Sequence, residues 1–124
     1  MTIVGKLTAW AKYAVLPVFF TGLLWAQVDK ATINGTVTDP SGAVIVGVNV
    51  TVTNIETGVT YTGASNDAGI YRVSALPVGA YSIEYQKGGF KKVIRSGLTL
   101  STAQVAEVNI KMAPGATSET VQVT

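Results

Sequence analysis

Apolar side chains recur at every second position through most of this chain, and glycine, proline, asparagine and aspartate cut the pattern into short runs. Val48, Val50 and Val52 alternate with Asn49, Thr51 and Thr53, and Tyr81, Ile83 and Tyr85 alternate with Ser82, Glu84 and Gln86. A period of two sends alternate side chains to opposite faces of an extended strand, so each run can bury one face and wet the other. A helix needs a period near 3.6, and no stretch beyond residue 26 supplies one.

The first run sets Ile33, Gly35 and Val37 against Asn34, Thr36 and Thr38 and closes at Asp39-Pro40-Ser41-Gly42. The valine run follows and reaches a turn at Thr57-Gly58; a third run covers 59–63. After Asn66-Asp67-Ala68-Gly69 come Tyr71 and Val73, with Arg72 on the other phase, and Leu76-Pro77-Val78-Gly79 leads into the tyrosine run. Gly88-Gly89 turns the chain into a weaker segment from Phe90 through Ile94 to Leu100. Ala106, Val108, Ile110 and Met112 form the last apolar row. Seven short strands at this spacing predict an all-β fold, an antiparallel two-sheet sandwich. An immunoglobulin domain proper is disfavoured, because the chain has no cysteine and both tryptophans, Trp10 and Trp25, lie ahead of the strands.

Residues 1–26 read differently. Lys6 and Lys12 precede an apolar run over 13–25 that ends at Ala26-Gln27. Basic flank, short apolar stretch and small residue at the end make a helical secretory signal peptide cut after Ala26. As a membrane anchor the run is short of the roughly 20 residues a span requires, and Pro17 and Gly22 interrupt it. The expected organisation is signal peptide 1–26, sandwich 27–113, and 114–124 as a linker or exchangeable strand. Removing the leader also removes Lys6 and Lys12, so the formal charge falls from +2 to zero. A neutral domain gives no electrostatic reason to bind nucleic acid or anionic lipid.

The sequence contains no histidine and no cysteine. The usual zinc sets and the Ser-His or Cys-His nucleophile pairs therefore cannot be assembled, and no catalytic residue, cofactor or metal ligand is assigned. Asp67 beside Asn66 offers too few oxygens for calcium, and an Asx-type turn explains the pair more simply. The motif residues read as structural turns: Gly35, Asp39, Gly42, Asp67, Gly69, Pro77 and Gly79. Of these, Gly42, Gly69 and Gly79, together with Gly58, stand where positive φ is expected, and Pro40 and Pro77 fix φ at turn entry. Tyr71 and Tyr81 read as core residues whose hydroxyls reach the sandwich ends. The basic cluster Lys87, Lys91, Lys92 and Arg95 reads as a solvated edge that discourages aggregation. A Lys30–Asn109 isopeptide assisted by Glu84 is disfavoured, because Asn109 and Glu84 fall on the polar phase of their strands.

An ordered set of strings resembles the carboxypeptidase regulatory-like domains: Gly35-Thr36-Val37-Thr38-Asp39 then Ser41-Gly42; Gly47-Val48-Asn49-Val50-Thr51-Val52; Asn66-Asp67-Ala68-Gly69-Ile70-Tyr71; Leu76-Pro77-Val78-Gly79-Ala80-Tyr81; and Gly89-Phe90. The resemblance covers about 33–112 and implies a transthyretin-like sandwich without catalytic activity. Thr53-Asn54-Ile55-Glu56-Thr57-Gly58-Val59 and Ser118-Glu119-Thr120-Val121-Gln122-Val123-Thr124 look most like the N-terminal extension of TonB-dependent, Oar-like outer-membrane receptors. There the domain precedes a plug and a membrane barrel, which implies a periplasmic accessory or docking domain in a Gram-negative bacterium.

A second class stays open: a self-standing secreted structural or adhesion protein that assembles by strand addition through Glu119, Val121 and Val123. The partners expected are proteins, either a plug and barrel or copies of the chain itself. The membrane enters only through an uncleaved leader or a barrel outside this sequence.

Overall fold

Among the described residues the alternating runs become nine strands. They are β1 (Ala31–Thr38), β2 (Asn49–Asn54), β3 (Thr60–Ala64), β4 (Ile70–Leu76), β5 (Gly79–Gln86), β6 (Lys92–Leu100), β7 (Val105–Glu107), β8 (Ile110–Lys111) and β9 (Thr120–Val123). The structure is a computed structural model and describes residues 30–124; the expected signal peptide lies outside the described residues. Two sheets stack face to face. One has the order β4-β1-β7, with β8 also on β1, and the other has the order β3-β2-β5-β6-β9.

The all-β two-sheet sandwich is as the alternation predicts, but seven antiparallel strands is corrected in two respects. The expected last strand is divided into β7 and β8, and the tail adds β9. Three pairings are parallel: β7 and β8 with β1, and β9 with β6. Alternation specifies which side chains face inward; it is the same for either strand direction, so direction is set by how the connections cross.

Inward phases meet as the sequence implies. Ile33 and Val37 from β1, Val50 and Val52 from β2, and Tyr81, Ile83 and Tyr85 from β5 are fully buried. Val48, Leu76 and Met112 join them from strand ends and connections. Burial of each such side chain contributes about 1.5–3 kcal/mol, which makes this layer the main stabilising term.

Two irregularities break the regular ladders. On β6 the pairing to β5 shifts between Leu98↔Tyr81 and Arg95↔Ile83, and Gly97 sits at φ 80°. This bulge lets Val93, Arg95, Leu98 and Leu100 all share the inward side. Between β7 and β8 the backbone leaves β1. Val108 N donates to Asn34 O at 2.8 Å, but Thr36 N donates to the Asn109 side-chain Oδ1 at 2.9 Å instead of to a backbone carbonyl. The Val108 carbonyl is thereby released for another donor.

Candidate functional site

That donor is Tyr71. Gly35 and Tyr71 are register partners on β1 and β4, and the tyrosine side chain runs beneath β1 where Gly35 has no Cβ. Its hydroxyl donates to Val108 O, 2.6 Å away on the far side of β1, and the Tyr85 hydroxyl lies 2.8 Å from it. With Tyr71 committed to the carbonyl, Tyr85 donates to Tyr71. The rings meet edge to face with centroids 5.5 Å apart. Burial pushes the Tyr71 hydroxyl up to about 12, and burial followed by the neighbouring Tyr71 pushes Tyr85 further the same way. Both are locked as neutral hydrogen-bonding groups.

Two expectations are corrected here. Gly35 is not a turn residue: it lies within β1, and a Cβ there would overlap the Val108 carbonyl and press on the Tyr71 hydroxyl. Nor does Tyr71 reach a sandwich end, since its hydroxyl is spent under β1. Tyr81 does reach one, donating to Pro77 O at 2.7 Å.

The other motif residues occupy connections. Asp39 Oδ1 accepts from Ser41 N at 2.8 Å, Ser41 Oγ at 2.6 Å and Ala43 N at 3.0 Å. The Ser41 hydroxyl is the main reason the Asp39 carboxyl is held below its ordinary value. Gly42 has φ 92°, Gly69 φ 76° and Gly79 φ 148°. At Gly69 a side chain would also press on Val44 and the Val37 carbonyl. In that turn it is Asn66, not Asp67, whose side chain does the bonding: its Oδ1 accepts from Ala68 N and Ile70 N, and Asp67 is exposed.

Asn54 and Ser65 are not among the candidate site residues of the sequence, yet they are the buried polar residues among the described ones. Asn54 Oδ1 accepts from Glu56 N and Thr57 N, and Ser65 Oγ accepts from Val48 N while donating to Ile45 O. Asparagine two residues ahead of Glu56-Thr57-Gly58 is a readable turn signal; nothing local marks Ser65, whose partners lie 17 and 20 residues away.

The basic cluster is not one solvated edge. Lys92 pairs with Glu84 at 3.7 Å, Lys91 lies 4.0 Å from Glu119, and Arg95 turns inward. Nor does the tail carrying Glu119, Val121 and Val123 stand away from the sandwich. The register Lys92↔Thr120 to Arg95↔Val123 pairs the tail with this chain's own β6. Donation to a neighbour would first require that pairing to open.

A shallow cleft of about 260 Å³ lies on the outer face of the smaller sheet, lined by Asn34, Gly35, Thr36, Ile70, Arg72 and Glu107. Arg72 on β4 and Glu107 on β7 both pair with Asn34, so the three form one polar rung. The cleft offers opposite charges around an amide and can hold a polar group by hydrogen bonds. Among the described residues no group of three or more metal-ligating side chains occurs.

The sequence model of the carboxypeptidase regulatory-like domain matches residues 32–113. The chain belongs to that family. This regulatory-like domain is 33% identical over 106 residues to the TonB-dependent transporter Oar of Myxococcus xanthus, an alignment that covers 82% of this chain and 10% of the transporter. It thus spans about a tenth of the length of that relative.

Among solved structures, the TIE protein of Bacillus anthracis superposes with a TM-score of 0.56 at 19% identity, covering 69% of this chain and 17% of that one. Hydroxyquinol 1,2-dioxygenase from Pseudomonas putida superposes with a TM-score of 0.57 at 12% identity, covering 80% and 64%. At these identities the likeness concerns the fold of the regulatory-like domain alone.

Proposed function

We propose that this chain is a non-catalytic accessory domain of a TonB-dependent outer-membrane receptor, standing on the periplasmic side ahead of a plug and barrel as a rigid spacer or docking surface. The observation that carries the reading is the alignment to Oar, in which 82% of this chain matches about a tenth of a transporter. Export through the leader at 1–26 belongs to the same proposal. A sequence free of histidine and cysteine supports the absence of catalysis.

The test is an antiserum against the sandwich applied to fractions of the source bacterium. The expected antigen is an outer-membrane polypeptide roughly ten times the length of the domain, resistant to protease added to intact cells and cut once the periplasm is opened. A short antigen recovered from the medium would overturn the proposal in favour of a secreted, self-standing protein.

A further inference from the structure

The two sheets are of unequal width. β9 extends the larger one past β6, while the smaller one ends at β7 and β8, with no strand among the described residues on their far side. The inward phase of β9 is therefore incompletely covered. Val93 and Val121 are register partners and share a face, yet Val93 is 2% exposed and Val121 40% exposed. Val123, one rung on, packs only partly against the core.

Arg95 stands on that same rung and face, between Ile83 and Val123. The bulge at Gly97 holds it inward, and its charge lies close enough to the Tyr71 and Tyr85 hydroxyls to act on both. Neither hydroxyl is bonded to it. Its Nε is buried without a hydrogen-bond partner, and among the described residues no carboxylate is paired with it. A buried guanidinium nitrogen without an acceptor is uncommon, and the charge of the group it belongs to is offset by no carboxylate among the described residues. β7 and β8 form the edge of the facing sheet on this side, and beside Arg95 on β9 stand Val121 and Val123.

We propose that this side of the sandwich receives an extended peptide strand from a protein partner, which adds to the β7–β8 edge, covers Val121 and Val123 with an apolar side chain, and places a carboxylate on Arg95. The occupant is identified by complementarity. The backbone groups of β7 and β8 that face away from β1 call for a strand. Two half-covered valines call for apolar residues at alternate positions, and a planar guanidinium with no carboxylate partner among the described residues calls for aspartate or glutamate. The inference is independent of the receptor reading, since it uses only the geometry of this domain.

The experiment uses the domain in solution and two synthetic ten-residue probes of alternating valine and threonine, one with a central glutamate and the other with glutamine there. Binding is followed by amide and arginine Nε–H resonances. The glutamate peptide is expected to shift the Arg95 Nε–H and the amides of 105–111, and the glutamine peptide to bind about tenfold more weakly. Arg95→Gln should abolish that preference, with unchanged dispersion of the remaining resonances showing that the variant is folded. Equal binding of the two peptides overturns the proposal. So does a shift pattern confined to the β3 edge or the outer edge of β9.

Discussion

At Gly35 the absence of a side chain serves packing and not a turn. The space where a Cβ would stand is occupied by the Val108 carbonyl, and the Tyr71 hydroxyl lies 3.0 Å from it. Gly35→Ala should therefore destabilise the domain by about 3 kcal/mol, read as a lower urea midpoint with an unchanged slope. Tyr71→Phe removes the donor to Val108 O and the acceptor of Tyr85, at about 2 kcal/mol. The same pair sets an alkaline limit. Unfolded tyrosine titrates near 10, whereas burial raises Tyr71 to about 12 and moves Tyr85 in the same direction. Their contribution is fully present below pH about 10 and is lost as pH rises from there through about 12. Stability measured from pH 8 to 12 should fall in that window, and less steeply in a Tyr71→Phe, Tyr85→Phe double variant. A flat profile in the parent would show that other groups set the alkaline limit.

Among the elements, β9 is the one whose role differs most between sequence and structure. Val121 and Val123 alternate with polar residues and read as a strand, but the pattern contains nothing that chooses between this chain's β6 and another chain. In the structure they lie along β6 in parallel register, with Lys91 near Glu119 at the entry. A chain ending at Ser118 should remain folded, lose about 1–2 kcal/mol from the contacts of Val121 and Val123, and leave the β6 edge unpaired. Sedimentation of the truncated domain should show more concentration-dependent association than the parent, not less. A truncated domain that stays monomeric while the parent self-associates would restore strand donation as the role of the tail. The division of β7 from β8 is likewise hidden in the sequence, because Ala106, Val108, Ile110 and Met112 form one unbroken apolar row. It arises from Asn109 Oδ1 taking the place of a backbone acceptor for Thr36, a contact across 73 residues.

For the whole molecule, the pairings of β1 with β7 and β8 join the first strand to residues 105–111, far along the chain. The hairpins β2–β3 and β5–β6 are local, but the smaller sheet closes only when such distant segments meet, so loop-closure entropy opposes that step of folding. Refolding after dilution from denaturant should be slow for a domain of this size, in the millisecond-to-second range, as followed by tyrosine fluorescence. Refolding in microseconds would mean that local contacts carry the transition state.

Most of the sandwich was legible in the order of residues. Burial at every second position, the turns at Asp39, Asn66 and Pro77, and the ordered strings of the regulatory-like family depend on neighbours in sequence, and a local pattern is enough to read them. Strand direction, the passage of Tyr71 beneath Gly35, the seating of β9 on β6 and the unpartnered Arg95 do not. Each depends on which distant segment arrives alongside, and a period of two is unchanged by reversing or exchanging the neighbour. Arg95 shows the difference most clearly: in sequence it is the last member of a basic cluster, and only the bulge at Gly97 and the unequal widths of the two sheets turn it inward and leave its buried Nε without a partner.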